Sequence, residues 1–219
     1  MKVPDIIIAV DGCSSTGKSS FAKLVAKEFG FQYLDSGAYY RGVTLFAQSR
    51  GLISADNVVS PDLEKALRDP YVRIQTEGEE IRSMKVSSQV SPIAAVPYVR
   101  TFVDNMLHER SAEGRVIMDG RDIGTTVFPN AQIKIFMTAS PEVRAQRRYD
   151  EMLSKGESPV YEDVLKNLLE RDYIDSHRET SPLVKAPDAF VLDNSEMTMD
   201  QEIAWIKGLV RGKFGILEQ

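Results

Sequence analysis

Gly12-Cys13-Ser14-Ser15-Thr16-Gly17-Lys18-Ser19 fits the pattern G-x-x-x-x-G-K-[ST] in full. Its flanks are those the pattern requires. Residues 3–10 are a short, β-branched, nearly unbroken apolar run, which reads as a buried strand. Phe21, Leu24, Val25 and Phe29 follow at i, i+3, i+4 and i+8, which reads as an amphipathic helix, and Gly30 stands where a helix C-terminal glycine belongs. A strand, a glycine-bearing turn and a helix start make an anion cradle. The glycines let backbone N–H groups converge on phosphate oxygens, and the helix turns its positive end to the same point. Residues Gly12 to Ser20 are therefore expected to hold a nucleoside triphosphate: Lys18 on its outer phosphates and the Ser19 hydroxyl on Mg²⁺. Cys13 occupies a variable position of the loop and needs no role of its own.

Such a loop limits the fold to an α/β class, and the rest of the chain agrees. Phe31 to Leu34 is a second short strand, and Asp35 or Ser36 can cap a helix from about 37 to 50. Strand–helix–strand–helix alternation argues for a parallel sheet flanked by helices. The rhythm breaks over 54–95. There the alternation of Tyr71 to Thr76 and the turn at Glu77-Gly78-Glu79 predict a small β-rich insert with a hairpin. Pro97 opens a helix with Val99, Phe102, Val103, Met106 and Leu107 on one face. Strands at 115–118, 133–137 and 189–192 resume the pattern. Helices begin at Ser140-Pro141, span about 161–177, and start at a Thr198/Gln201 capping box. With 219 residues, one domain is expected, with a core at about 1–35, 100–145 and 179–219, an inserted segment at about 36–99, and a lid at about 146–178.

Several classes are disfavoured. The apolar run at 6–10 falls far short of the about 20 residues of a membrane span, and no signal-peptide core of about 7–15 residues occurs, so the cytoplasm is expected. One cysteine and two histidines make a structural zinc site improbable. A net charge of −5 disfavours long nucleic acid, yet 15 of the 27 basic residues are arginine, suited to a small anion. No N-K-x-D motif points to a GTPase, and no H-R-D-x-x-x-x-N stretch to a protein kinase. No heptad or long apolar edge stands out, so a monomer is expected.

A second anion site is suggested by Leu34-Asp35-Ser36-Gly37-Ala38-Tyr39-Tyr40-Arg41, although Ser36 can equally serve as a helix cap. Asp119-Gly120-Arg121-Asp122-Ile123-Gly124 ends a strand, where open α/β sheets bind ligands, and Asp119 can hold Mg²⁺ through water. Arg144, Arg147 and Arg148 share a helix face and are expected to repel one another until a triphosphate arrives. Arg171, Asp175 and Arg178 share another. A nucleotide switch needs one pocket, whereas this density of arginines suits two bound nucleotides. A kinase for another small acceptor remains the nearest alternative.

These motifs together resemble the bacterial cytidylate kinase family over nearly the whole chain. The resemblance rests on the Lys18 loop, L-D-S-G-A-Y-Y-R at 34–41, S-S-Q-V at 87–90, P-Y-V-R at 97–100, D-G-R-D-I-G-T-T-V-F-P at 119–129 and E-R-D-Y-I-D-S-H-R at 170–178. It implies Mg-dependent transfer of phosphate from ATP to CMP or dCMP. It implies that Ser36, Ser88, Arg100 and Asp122 surround the cytosine and that Arg171 and Asp175 hold the sugar. It also implies that Arg41, Arg121 and Arg178 grip the acceptor phosphate. Lys18, Arg121, Arg178 and Arg148 are then the expected catalytic cations, with Arg144 on ATP and residues 146–178 closing as a lid.

Overall fold

Ile8, Ala9 and Val10 have no exposed surface, as the middle of a strand with neighbours on both sides requires. The computed structural model describes residues 3–215. Its sheet has five strands: β1 (Ile7–Gly12), β2 (Gln32–Asp35), β3 (Val116–Gly120), β4 (Ile133–Thr138) and β5 (Phe190–Asp193), in the order β2-β3-β1-β4-β5. β1 pairs parallel with both β3 and β4, and β4 parallel with β5. The carboxyl ends of β1, β3, β4 and β5 therefore lie on one edge of the sheet, where such folds bind ligands.

The chain divides into two compact units, one formed by residues up to Leu34 and from Glu113 onward, the other by Asp35–Ala112. In the first, α1 (Lys18–Phe29) buries Phe21, Ala22, Val25 and Phe29 and ends at Gly30, whose φ of 68° is the left-handed cap read from the sequence. Phe21 joins Ile8, Val10, Ile133, Ile135, Met137, Leu192, Ile206 and Val210 in one core. Fully burying each such side chain contributes about 1.5–3 kcal/mol. α7 (Pro141–Ser154) is capped by Ser140, whose side chain accepts the Val143 N–H, and runs into α8 (Tyr161–His177). α9 (Met199–Phe214) starts with the expected Thr198/Gln201 capping box.

In the second unit, Asp35 rather than Ser36 caps α2 (Ser36–Ser49), accepting the Ala38 N–H at 3.1 Å. α6 (Pro97–Arg110) has its proline at the first turn and buries Val99, Val103 and Leu107. The hairpin expected between them is not formed. The segment holds α3 (Asp62–Leu67), a 3₁₀ turn at Glu80–Arg82, α4 (Met84–Ser87) and α5 (Val90–Ala94), with one isolated bridge, Ile53 to Val59. The alternation at 71–76 is real, with Val72 and Ile74 more buried than Arg73 and Gln75. It reflects an extended chain lying on α2 rather than pairing with another strand. A Cβ at Gly42 of α2 would sit 2.2 Å from the Gln75 carbonyl oxygen. The residues after the turn bury Ile81 and Val86, five apart and so on opposite faces of a strand, and fold instead as the 3₁₀ turn and α4. Gly42→Ala should therefore lower stability by about 1–3 kcal/mol through overpacking, read as a lower urea midpoint. An unchanged midpoint would mean that 71–76 does not bear on α2. No helix among the described residues is long and apolar enough to cross a membrane.

Candidate active site

The loop after β1 is shaped by backbone that few residues tolerate. Gly12 has φ of 150°, and a Cβ there would lie 2.0 Å from the Met137 carbonyl oxygen. Ser15 (φ 59°) and Gly17 (φ 88°) turn the chain through the left-handed region into α1. No side chain caps α1, so its first-turn N–H groups remain for an external acceptor. Lys18 is 5% exposed and folds back over the loop, donating to the Cys13 carbonyl at 2.5 Å and to Thr16 Oγ1 at 3.3 Å. Burial, and then the nearby Arg121 guanidinium, lower its pKa to about 7, against the pull of Asp119. An ammonium so placed gains from any anion entering the loop. The Cys13 thiol is pushed up by burial, opposite to the shift of a reactive thiolate.

Ser19 donates to Asp119 Oδ2 at 2.8 Å, and the Tyr33 hydroxyl donates to Asp119 Oδ1 at 2.7 Å. A hydroxyl and a carboxylate side by side at the helix start are hard oxygen donors of the kind Mg²⁺ takes. Among the described residues, no group of three or more His, Cys, Asp or Glu side chains could hold a metal. The pair thus fits an ion bound mainly through substrate phosphates and water.

Ser14 is held at each of its polar groups. Asp172 Oδ1 accepts its N–H at 3.1 Å, Arg144 Nη1 donates to its carbonyl at 3.2 Å, and Arg121 Nη2 donates to its hydroxyl at 3.0 Å. Arg144 also bonds the Asp172 carboxylate and the Ala139 carbonyl. Arg121 Nε donates to Asp175 Oδ2 at 2.8 Å. Arg178, at the end of α8, lies 3.5 Å from Asp122 and 3.8 Å from Asp175. Asp11 on β1 accepts the N–H groups of Ile123 and Gly124, each at 2.7 Å. On the other flank, Arg147 donates to Asn194 Oδ1 and to its carbonyl. The Asn194 amide in turn donates to the Thr16 carbonyl at 2.9 Å and to the buried Glu202 at 2.7 Å. A cavity of about 530 Å³ opens there, lined among others by Ser15, Gly17, Ser20, Arg147, Arg148 and Asn194.

The structure thus brings Lys18, Ser19, Asp119, Arg121, Asp122, Arg144, Asp175 and Arg178 to the strand ends around one loop. Arg171 stays exposed one turn before Asp175, whose short bond goes to Arg121 instead. In the second unit, Ser36 is buried at the start of α2, and Arg41 pairs with Asp35 at 2.6 Å. Arg100 is buried, donating to the Ala94 carbonyl at 3.1 Å with its guanidinium 5.5 Å from the Tyr40 ring centroid. Ser88 is exposed and donates to the Lys85 carbonyl.

The mutual repulsion expected of Arg144, Arg147 and Arg148 is corrected. Each has its own protein acceptor: Asp172, Asn194 and Glu151 respectively. Helical spacing shows which charges are neighbours but not what tertiary partners face them. Asp172, Asn194, Asp11 and Tyr33 were not singled out from sequence. The only signal for Asp11 is a carboxylate in an otherwise apolar strand, and Asp172 lies unremarked inside the 170–178 motif.

A family model described as cytidylate kinase matches residues 8–211. A cytidylate kinase of Bacteroides thetaiotaomicron is 46% identical over 92% of this chain and 94% of its own. One of Porphyromonas gingivalis is 48% identical over the same shares, and one of Flavobacterium johnsoniae 46% over 94% and 96%. Two crystal structures share the fold. An uncharacterized protein of Eubacterium ventriosum has TM-score 0.55 and 13% identity, covering 95% of this chain and 99% of that one. A Thermus thermophilus protein has TM-score 0.50 and 21% identity, covering 96% and 98%.

Proposed function

The chain belongs to the cytidylate kinase family, and we propose that the residues gathered around its phosphate loop carry out the family's reaction. It transfers the γ-phosphoryl group of ATP to CMP and dCMP, giving CDP or dCDP and ADP. The observation that carries the assignment of residues is Arg121. Its guanidinium reaches the phosphate loop at Ser14 Oγ and is oriented by Asp175, so a fixed cation stands where donor and acceptor phosphates would converge.

The attacking group is a phosphate oxygen of CMP, already an anion at neutral pH, so no strong general base is needed. Catalysis then reduces to alignment and to charge stabilisation of the moving phosphoryl group. Gly12 to Ser20 bind the ATP phosphates through backbone N–H groups and Lys18, and the cavity beside Arg147 and Asn194 takes the adenosine. Lys18, Arg121, Arg178 and, from the lid, Arg148 neutralise the transferred group. Arg144 acts on ATP through Ser14, whose carbonyl it holds. Ser19 and Asp119 would hold Mg²⁺, which when bound offsets charge on the β- and γ-oxygens. Arg121, Asp122, Arg171, Asp175 and Arg178 bind CMP. Closure of residues 146–178 excludes water, a competing nucleophile. The protein works as a cytoplasmic monomer.

The test is coupled ADP release with MgATP and each of CMP, dCMP, UMP, AMP, GMP and dTMP. CMP and dCMP should accelerate release by at least about 10²-fold over the other acceptors. Equal or faster turnover with another acceptor would overturn the assignment.

A further inference from the structure

Asp11 has no place in the reaction just described, yet it is buried with both carboxylate oxygens held by backbone. It is the penultimate residue of β1, 5% exposed, in a strand whose other residues are apolar up to Gly12. A carboxylate in such a strand is costly unless its oxygens are satisfied. Oδ1 accepts from Ile123 and Oδ2 from Gly124, both at 2.7 Å. Burial, with Asp122 adding to it, pushes its pKa up to about 6, against the pull of these two N–H groups. The side chain is therefore mainly ionised at neutral pH and makes two charge-assisted bonds.

The two N–H groups belong to the first residues of a π-type turn, Ile123–Val127, directly after Arg121 and Asp122. The turn closes back on Asp122, whose carbonyl accepts from Thr126 at 2.8 Å and Val127 at 3.1 Å. Adjacent peptide planes gripped by one carboxylate leave little freedom to the two residues before them. The contact is close from the other side as well. A Cβ on Gly124 would lie 3.2 Å from the Lys134 stem and 3.3 Å from Asp11 Oδ2. β1 therefore carries the ATP loop at its end and, through Asp11, holds the backbone that presents Arg121 and Asp122.

We infer that Asp11 is a positioning residue for the acceptor nucleotide, acting through the Ile123 and Gly124 N–H groups on Arg121 and Asp122. The inference rests on the reading of Arg121 and Asp122 as CMP ligands. It predicts damage on one substrate only. A displacement of about 1 Å in a positioned group costs about 10²-fold in rate. The ATP loop loses at most the Arg121 bond to Ser14 Oγ and keeps Asp172 on the Ser14 N–H and Arg144 on its carbonyl.

The test is steady-state kinetics of Asp11→Asn, with ATP affinity measured separately by equilibrium binding. The asparagine keeps one acceptor oxygen but sets an N–H₂ against a backbone N–H. KM for CMP should rise at least about tenfold and kcat/KM for CMP fall by about 10–10², with ATP affinity within about threefold of wild type. Equal loss on both substrates, or unchanged kinetics with a lowered melting temperature, would overturn the inference, because Asp11 would then serve only the sheet. Should Asp11→Asn fail to fold, Gly124→Ala presses on the same contact. The same CMP-specific split there supports the inference, and its absence overturns it. Arg121→Ala separates the two levels. If it leaves KM for CMP unchanged, the reading of Arg121 itself is wrong. If it raises KM while Asp11→Asn does not, only the role of Asp11 falls.

Discussion

Lys18→Ala lowers turnover with CMP by at least about 10²-fold while the fold survives. A cation placed on the transferring phosphoryl group acts mainly where charge develops, and comparable arginine fingers are worth about 10³–10⁵ in rate. The survival of the fold follows from the surroundings. Lys18 donates to two uncharged acceptors, the Cys13 carbonyl and Thr16 Oγ1. Its removal therefore breaks no direct ion pair, and the attraction lost to Asp119 is offset by relief of the repulsion from Arg121 that helps lower its pKa to about 7. Steady-state rates and a thermal melt on the same preparation check both halves. Turnover within a few-fold of wild type would show that this loop is not where ATP reacts.

Asp122→Asn is expected to narrow or invert the preference for CMP over UMP. Cytosine presents an amino donor at position 4 beside acceptors at N3 and O2, whereas uracil presents an acceptor at position 4 and a donor at N3. A carboxylate matches the first and opposes the second, and an arginine beside it would supply the complementary donor. Mispairing a buried polar group costs about 1–3 kcal/mol, and more for a charged one. With two such groups the wild-type preference should be about 10²-fold or greater. Asp122 is 4% exposed, so water does little to soften the mismatch. The measurement is kcat/KM for both nucleotides in both proteins. The structure supplies the rival outcome, because Asp122 also lies 3.5 Å from Arg178. An equal loss on both nucleotides would mean that Asp122 orients Arg178 rather than reading the base.

Features encoded within one turn or one strand could be read from the chain. The Gly12–Ser19 loop, the left-handed cap at Gly30, the Ser140 cap and the Thr198/Gln201 box each depend on neighbours a few residues apart. Their backbone demands are therefore written in consecutive residue types. The end of a strand at 119–124 was legible for the same reason: glycines and charges follow directly on an apolar run.

What depended on distant partners could be decided only by the tertiary structure. Alternation at 71–76 specifies two faces but not whether a strand or a helix covers one of them, and α2 with its Gly42 covers it here. Spacing put Arg144, Arg147 and Arg148 on one face. Their fates were set by Asp172, 28 residues away from Arg144, by Asn194, 47 from Arg147, and by a local Glu151. The same holds for Asp11. Its two acceptor bonds reach residues 112 and 113 positions along the chain, a distance over which side-chain pairing is dictated by strand order and loop closure rather than by local pattern.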